Sequence, residues 1–62
     1  MIIYRVQTYY YSTYSYSGIE PYQDFFFTTE EKALKFISDN NYKLVNNPDA
    51  DNEVTLEPVT VN

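Results

Sequence analysis

Phe25-Phe26-Phe27-Thr28-Thr29-Glu30-Glu31-Lys32-Ala33-Leu34-Lys35-Phe36-Ile37 is the stretch on which the fold turns. Its apolar period changes from two to 3.6 within a few residues. Asp24 to Thr28 reads as a strand, with Phe25 and Phe27 on one face and Phe26 on the other. Thr28 followed by Glu31 is a T-x-x-E capping box, and Glu30 and Glu31 lie in a first turn that favours negative charge. Ala33, Leu34, Phe36 and Ile37 form the apolar stripe of an amphipathic helix, and Glu31 and Lys35 form an i, i+4 pair. Asn40-Asn41 supplies a left-handed stop. These signals predict a helix at about 29 to 40.

Upstream, residues 1 to 11 read as a strand. Ile2, Tyr4 and Val6 form an apolar even face against a polar odd face from Arg5 on, until Tyr9, Tyr10 and Tyr11 put large side chains on both faces. Residues 12 to 23 are a turn region, either a long hairpin with arms running to Tyr16 and from Tyr22 or a loop. Gly18 is the single glycine of the chain and the candidate for a positive φ. Downstream, Tyr42 to Val45 is a short strand, Asn46 to Asn52 a turn-rich connector, and Glu53 to Val61 a last strand. Pro58 interrupts that strand and marks an edge or a strand end, with a bulge or bend expected to re-aim Val59 and Val61. The whole is predicted to be one α+β domain: a small antiparallel sheet in the order β-β-α-β-β, with the helix packed on one face. The predicted core is Tyr4, Val6, Phe25, Phe27, Ala33, Phe36, Ile37, Leu44 and Leu56.

Composition limits what such a domain can do. The chain has 62 residues, no Cys, no His and no Trp. That excludes a disulfide framework, a Cys/His zinc site and histidine acid–base chemistry. Domains below roughly 70 residues usually need a staple, and self-association or a partner is what remains. The net charge of −5 has the wrong sign for phosphate, so direct nucleic-acid binding and anionic membranes are disfavoured while a basic protein surface is favoured. No signal-peptide pattern or transmembrane stretch is visible, and a cytoplasmic location is expected.

Two groups of residues stand out as candidate sites. The tyrosines Tyr9, Tyr11, Tyr14, Tyr16 and Tyr22, with Tyr10 among them, resemble paratope chemistry: rigid aromatics among serines. They could equally be cross-strand packing, a self-association surface or a partner surface; stacking on single-stranded nucleic acid lacks a cationic groove. The uncovered aromatic face and open sheet edges predict a homo-oligomer. The carboxylates Asp49, Asp51, Glu53 and Glu57 are an acidic patch, read as a solvated turn or a phosphate mimic. Counted from Asp49, a calcium-binding loop would need Gly and Glu where Val54 and Thr60 stand, so no metal is expected there. No activating motif surrounds any nucleophile and one glycine cannot make a phosphate loop, so neither catalysis nor a cofactor is expected.

The block from Phe25 to Ile37 resembles the strand-into-helix segment F-x-T-x-E-x-A-x-x-F-I of very small proteins from bacteriophages and prophages. The strands MIIYRVQ and VTLEPVTV are similar in placement, whereas the Tyr-Ser run at residues 9 to 17 lies outside the pattern. The resemblance implies a stoichiometric inhibitor of a host defence or nucleic-acid-handling protein, of the anti-CRISPR or anti-defence type. Two alternatives stay open on the residues alone: an oligomeric sponge for a nucleotide signal and a structural accessory protein.

Overall fold

The computed structural model describes residues 1–14 and 18–62. Four strands and one helix follow one another as β1 (Ile2–Tyr11), β2 (Ile19–Phe27), α1 (Glu30–Asp39), β3 (Lys43–Leu44) and β4 (Glu53–Thr60). The predicted α+β order is what the chain adopts. The turn region belongs to a hairpin: the Ser12 N–H donates to the Gly18 carbonyl at 3.0 Å, and Gly18 takes φ +76°. Its strands end at Tyr11 and restart at Ile19, so both arms differ from the predicted Tyr16 and Tyr22 limits.

The sheet order is β2-β1-β4-β3. β1 is antiparallel to both neighbours, but β3 runs parallel to β4, so the sheet is mixed rather than antiparallel. Lys43 pairs with Glu53 and Leu44 with Val54, and the connector then doubles back to start β4 at the same end. So short a ladder leaves Leu44 on an uncovered edge, 45% exposed, and outside the core predicted for it. Val54 is fully buried instead.

Val6, Ala33, Ile37 and Val54 form the buried core, with Tyr4, Phe25, Phe27, Phe36, Tyr42 and Leu56 packed around it. Even-numbered β1 residues and, from Gln23 to Phe27, odd-numbered β2 residues therefore face the helix, as alternation requires. Ala33 is fully buried, and its small side chain lets the helix approach the sheet closely. Phe36 is the hub of an aromatic cluster, with ring centroids 4.7 Å from Phe25, 5.2 Å from Phe27 and 6.0 Å from Tyr42. Leu34, placed in the predicted stripe, is 43% exposed.

The helix starts one residue later than its capping box implied. Thr29 is the N-cap, its hydroxyl accepting the Lys32 N–H at 3.2 Å. Phe27 remains in the ladder opposite Tyr4, and two residues are needed to turn the chain over the sheet. That puts Lys32, not Glu31, three residues past the cap. Lys35 reaches forward to Asp39 at 2.6 Å rather than back to Glu31. The stop is as predicted: Asn41 has φ 59°, and the Asn40 side-chain amide donates to the Phe36 carbonyl at 2.8 Å.

The last strand runs without the expected bulge. β4 keeps one register from Thr55 to Thr60, which puts Val59 opposite Ile3 on the face away from the helix. Pro58 is accommodated by its phase. Met1 and Val61 exchange both main-chain bonds, so Ile3–Val59 and Arg5–Glu57 are the hydrogen-bonded pairs and Tyr4–Pro58 is not. The proline's missing N–H therefore lies on the outer edge, where β3 no longer covers β4. Pro21, opposite Tyr9 on the other edge strand, stands in the same phase. Both open edges thus lack a donor, a device that blunts strand addition.

Candidate functional site

β4 pairs with β1 only as far as Gln7, and beyond it β1 and β2 continue alone as a two-stranded arm. A bulge stands at the root of this arm. Between Gln7–Asp24 and Tyr9–Pro21 the ladder has one residue, Thr8, facing two, Tyr22 and Gln23. Thr8 is 3% exposed, and its hydroxyl both donates to the Gln23 carbonyl at 3.0 Å and accepts the Gln23 N–H at 3.1 Å. The side chain thus replaces the ladder bonds that the extra residue disrupts.

The bulge decides which tyrosines meet. In a continuous register Tyr22 and Glu20 would lie on the Tyr9 face; the extra residue moves both to the Tyr10 face. Tyr10 and Tyr22 pack edge to face, ring centroids 5.8 Å apart at 71°. The Tyr10 hydroxyl donates to Glu20 Oε2 at 2.8 Å, and this bond together with the carboxylate's charge raises the phenol pKa above its ordinary value. Both rings remain accessible, Tyr10 at 40% and Tyr22 at 65%.

Tyr9 and Tyr11 lie on the opposite face. The Tyr9 hydroxyl donates to Gln7 Oε1 at 2.9 Å and lies 3.2 Å from the Thr55 hydroxyl, which ties the ring down. Tyr11 is exposed and its hydroxyl reaches the Asp49 carbonyl at 3.5 Å. Tyr14, in the turn, is almost fully exposed. Tyr16 lies outside the described residues. The five predicted tyrosines are therefore not one surface: Tyr9 and Tyr11 share a face, and Tyr22 is on the other with Tyr10. Glu20 completes that second group, and nothing in the sequence marked it.

Down the sheet from Tyr9, the face opposite the helix carries Arg5 between two carboxylates. Its guanidinium hydrogen-bonds Glu57 and stands 3.9 Å from Asp24. Phe26 lies opposite Arg5, more than half exposed. Glu57 is thus drawn away from the predicted acidic patch. Asp49 and Glu53 do come together: the Asp49 N–H donates to Glu53 Oε1 at 2.8 Å, while Asp51 is exposed on the turn between them. Hydrogen bonding and repulsion from Glu53 raise the Asp49 pKa; the Asp49 N–H, the largest cause, lowers that of Glu53.

The two shifts act oppositely on stability. The raised Asp49 contributes stability in acid that is lost as pH rises through its folded pKa. The lowered Glu53 contributes stability above its ordinary pKa that is lost as pH falls through its folded value. Asp49→Asn removes the repulsion and leaves the main-chain donor to Glu53. Both groups are solvent-exposed, so the gain in Tm should be small at neutral pH and fade in acid as wild-type Asp49 takes up its proton. Thermal scans across the acidic range check this, and an equal Tm for both proteins at neutral pH refutes it.

Among the described residues there is no group of carboxylates arranged to hold a metal ion, and no helix is long and apolar enough to cross a membrane. No protein-family model matches this chain, and neither a curated protein nor a solved structure shows significant similarity to it.

Proposed function

We propose that this chain is a non-catalytic binding protein whose working surface is the tyrosine-bearing arm and whose partner is a protein with a basic surface. The observation that carries this reading is the pairing of exposed aromatic rings with a local excess of negative charge. From Val6 to Glu31 there is no Lys or Arg, while Glu20, Asp24, Glu30 and Glu31 are all acidic, and of these Asp24 stands beside Arg5 across the sheet. Asp49, Asp51 and Glu53 adjoin the arm through the Tyr11–Asp49 contact. Exposed Tyr residues supply area at low entropic cost, and surrounding carboxylates steer a cationic partner toward them.

The likeness of the Phe25–Ile37 block to small phage proteins makes a host defence or nucleic-acid-handling protein the first partner to try, with stoichiometric inhibition as the mode of action. Proteins that handle nucleic acid carry basic grooves, which an acidic aromatic arm can occupy. The test compares wild type with a Tyr11→Ser/Tyr14→Ser variant, both tagged, in capture from bacterial lysate, with Tm as the folding control. A basic protein retained by wild type in low salt, released by high salt and lost by the folded variant supports the reading. Equal capture by both overturns it. A second copy of this chain is the competing occupant, and sedimentation of purified wild type at low micromolar concentration detects it.

A further inference from the structure

The Tyr10–Tyr22–Glu20 corner has a defined chemistry. Two phenol rings stand at 71° with centroids 5.8 Å apart, and a carboxylate is held at 2.8 Å from one of their hydroxyls. The corner lies beyond the core cluster, on the same side of the sheet as the helix. Tyr22 is the more open ring, at 65%, so its surface is available to a ligand. The Tyr10 hydroxyl is the donor in its bond to Glu20, and the nearest basic residues in the sequence are Arg5 and Lys32. Arg5 is on the opposite face, engaged with Glu57 and Asp24.

An aromatic face beside an uncompensated carboxylate selects an organic cation. A planar guanidinium fits better than an ammonium: its plane stacks on a ring while its N–H fork donates to a carboxylate in the same plane. We propose that this corner receives a single arginine side chain of the partner, stacked on Tyr22 and hydrogen-bonded to Glu20, with Tyr10 bracing both. This rests on the reading of the arm as a surface for basic proteins and names the residue through which that surface selects. Tyr10 acts by position: its ring sets the angle of Tyr22 and its hydroxyl sets that of Glu20.

The probe is a short Gly-Ser peptide containing one arginine, with lysine and citrulline counterparts, titrated into the full chain and followed by NMR. The arginine peptide should give saturable shifts centred on the Tyr10 and Tyr22 rings and the Glu20 amide, with the lysine peptide weaker and the citrulline peptide silent. Glu20→Gln keeps an acceptor for the Tyr10 hydroxyl and removes only the charge. It should weaken arginine binding about tenfold with Tm unchanged, as loss of one charge-assisted contact implies. Tyr22→Leu should abolish the shifts while keeping apolar bulk.

Equal shifts for citrulline and arginine, or arginine shifts centred on Asp49 and Glu53 instead, overturn the proposal. Its failure is separable from failure of the broader reading. If a basic partner is captured through Tyr11 and Tyr14 but Tyr22→Leu and Glu20→Gln leave that capture intact, the arm binds and this corner does not select.

Discussion

Phe36→Ala should leave most of the protein unfolded at physiological temperature. The ring joins Phe25 and Phe27 of β2 to Tyr42 beyond the helix, so its removal loosens the helix from both the sheet and the segment leading into β3. Truncating a packed phenylalanine costs about 3 kcal/mol or more. Globular domains hold only about 5 to 15 kcal/mol in total, and one of this size stands at the low end. The expected drop in Tm is about 15 °C or more. Chemical denaturation should show the midpoint falling with little change in slope. Phe36→Leu, which keeps most of the apolar volume, should recover over half of the loss. An unchanged midpoint for Phe36→Ala would contradict the aromatic cluster as the main tie between helix and sheet.

The second large effect is expected at Thr8. Thr8→Val keeps the shape and removes the hydroxyl that bonds both main-chain groups of Gln23. At a nearly buried position this leaves a donor and an acceptor unmet, at about 2 kcal/mol, or a fall in Tm of about 10 °C. Thr8→Ser keeps the hydroxyl and should lose much less. The more telling readout is geometric. If the bulge relaxes, Tyr22 and Glu20 swing to the Tyr9 face, and the nuclear Overhauser contacts between the Tyr10 and Tyr22 rings disappear. Their persistence in a folded Thr8→Val protein would show that the bulge holds without its bridging hydroxyl.

How much of this was legible in the sequence depends on the range of the interaction involved. The helix was legible because Ala33, Phe36, Ile37 and the Asn40-Asn41 stop are local signals that agree with one another. Its cap was misplaced by one residue because Thr28 and Thr29 are chemically equivalent, and the choice was made by Phe27 staying paired with Tyr4, a contact across the sheet. The core face of β1 and β2 followed from alternation. Val54 and Leu44 were exchanged because nothing local tells a central strand from a two-residue edge, or a parallel pair from an antiparallel one. Pro58 signalled an interruption, yet its phase against Tyr4 made it harmless, and phase is set by the partner strand.

The candidate site was legible as a list and not as a surface. Tyrosines are conspicuous by number, but the sequence assigns each to a face only if the register is continuous. One extra residue opposite Thr8 moved Tyr22 away from Tyr9 and gave it Glu20 as a neighbour. The acidic patch divided for a similar reason: Glu57 lies directly across from Arg5, and a cross-strand ion pair is invisible along the chain.

The ending of β4's pairing at Gln7 also has a meaning on the scale of descent. Residues before this boundary are bound by packing, since every large side chain of the core fits against several others. Residues after it answer chiefly to Gly18 and the Thr8 bridge. Replacements in the arm at positions other than these therefore cost little fold stability. On the proposed reading of the arm as the working surface, a lineage carrying this chain can change targets by altering residues at one end, without redesigning the body that carries them.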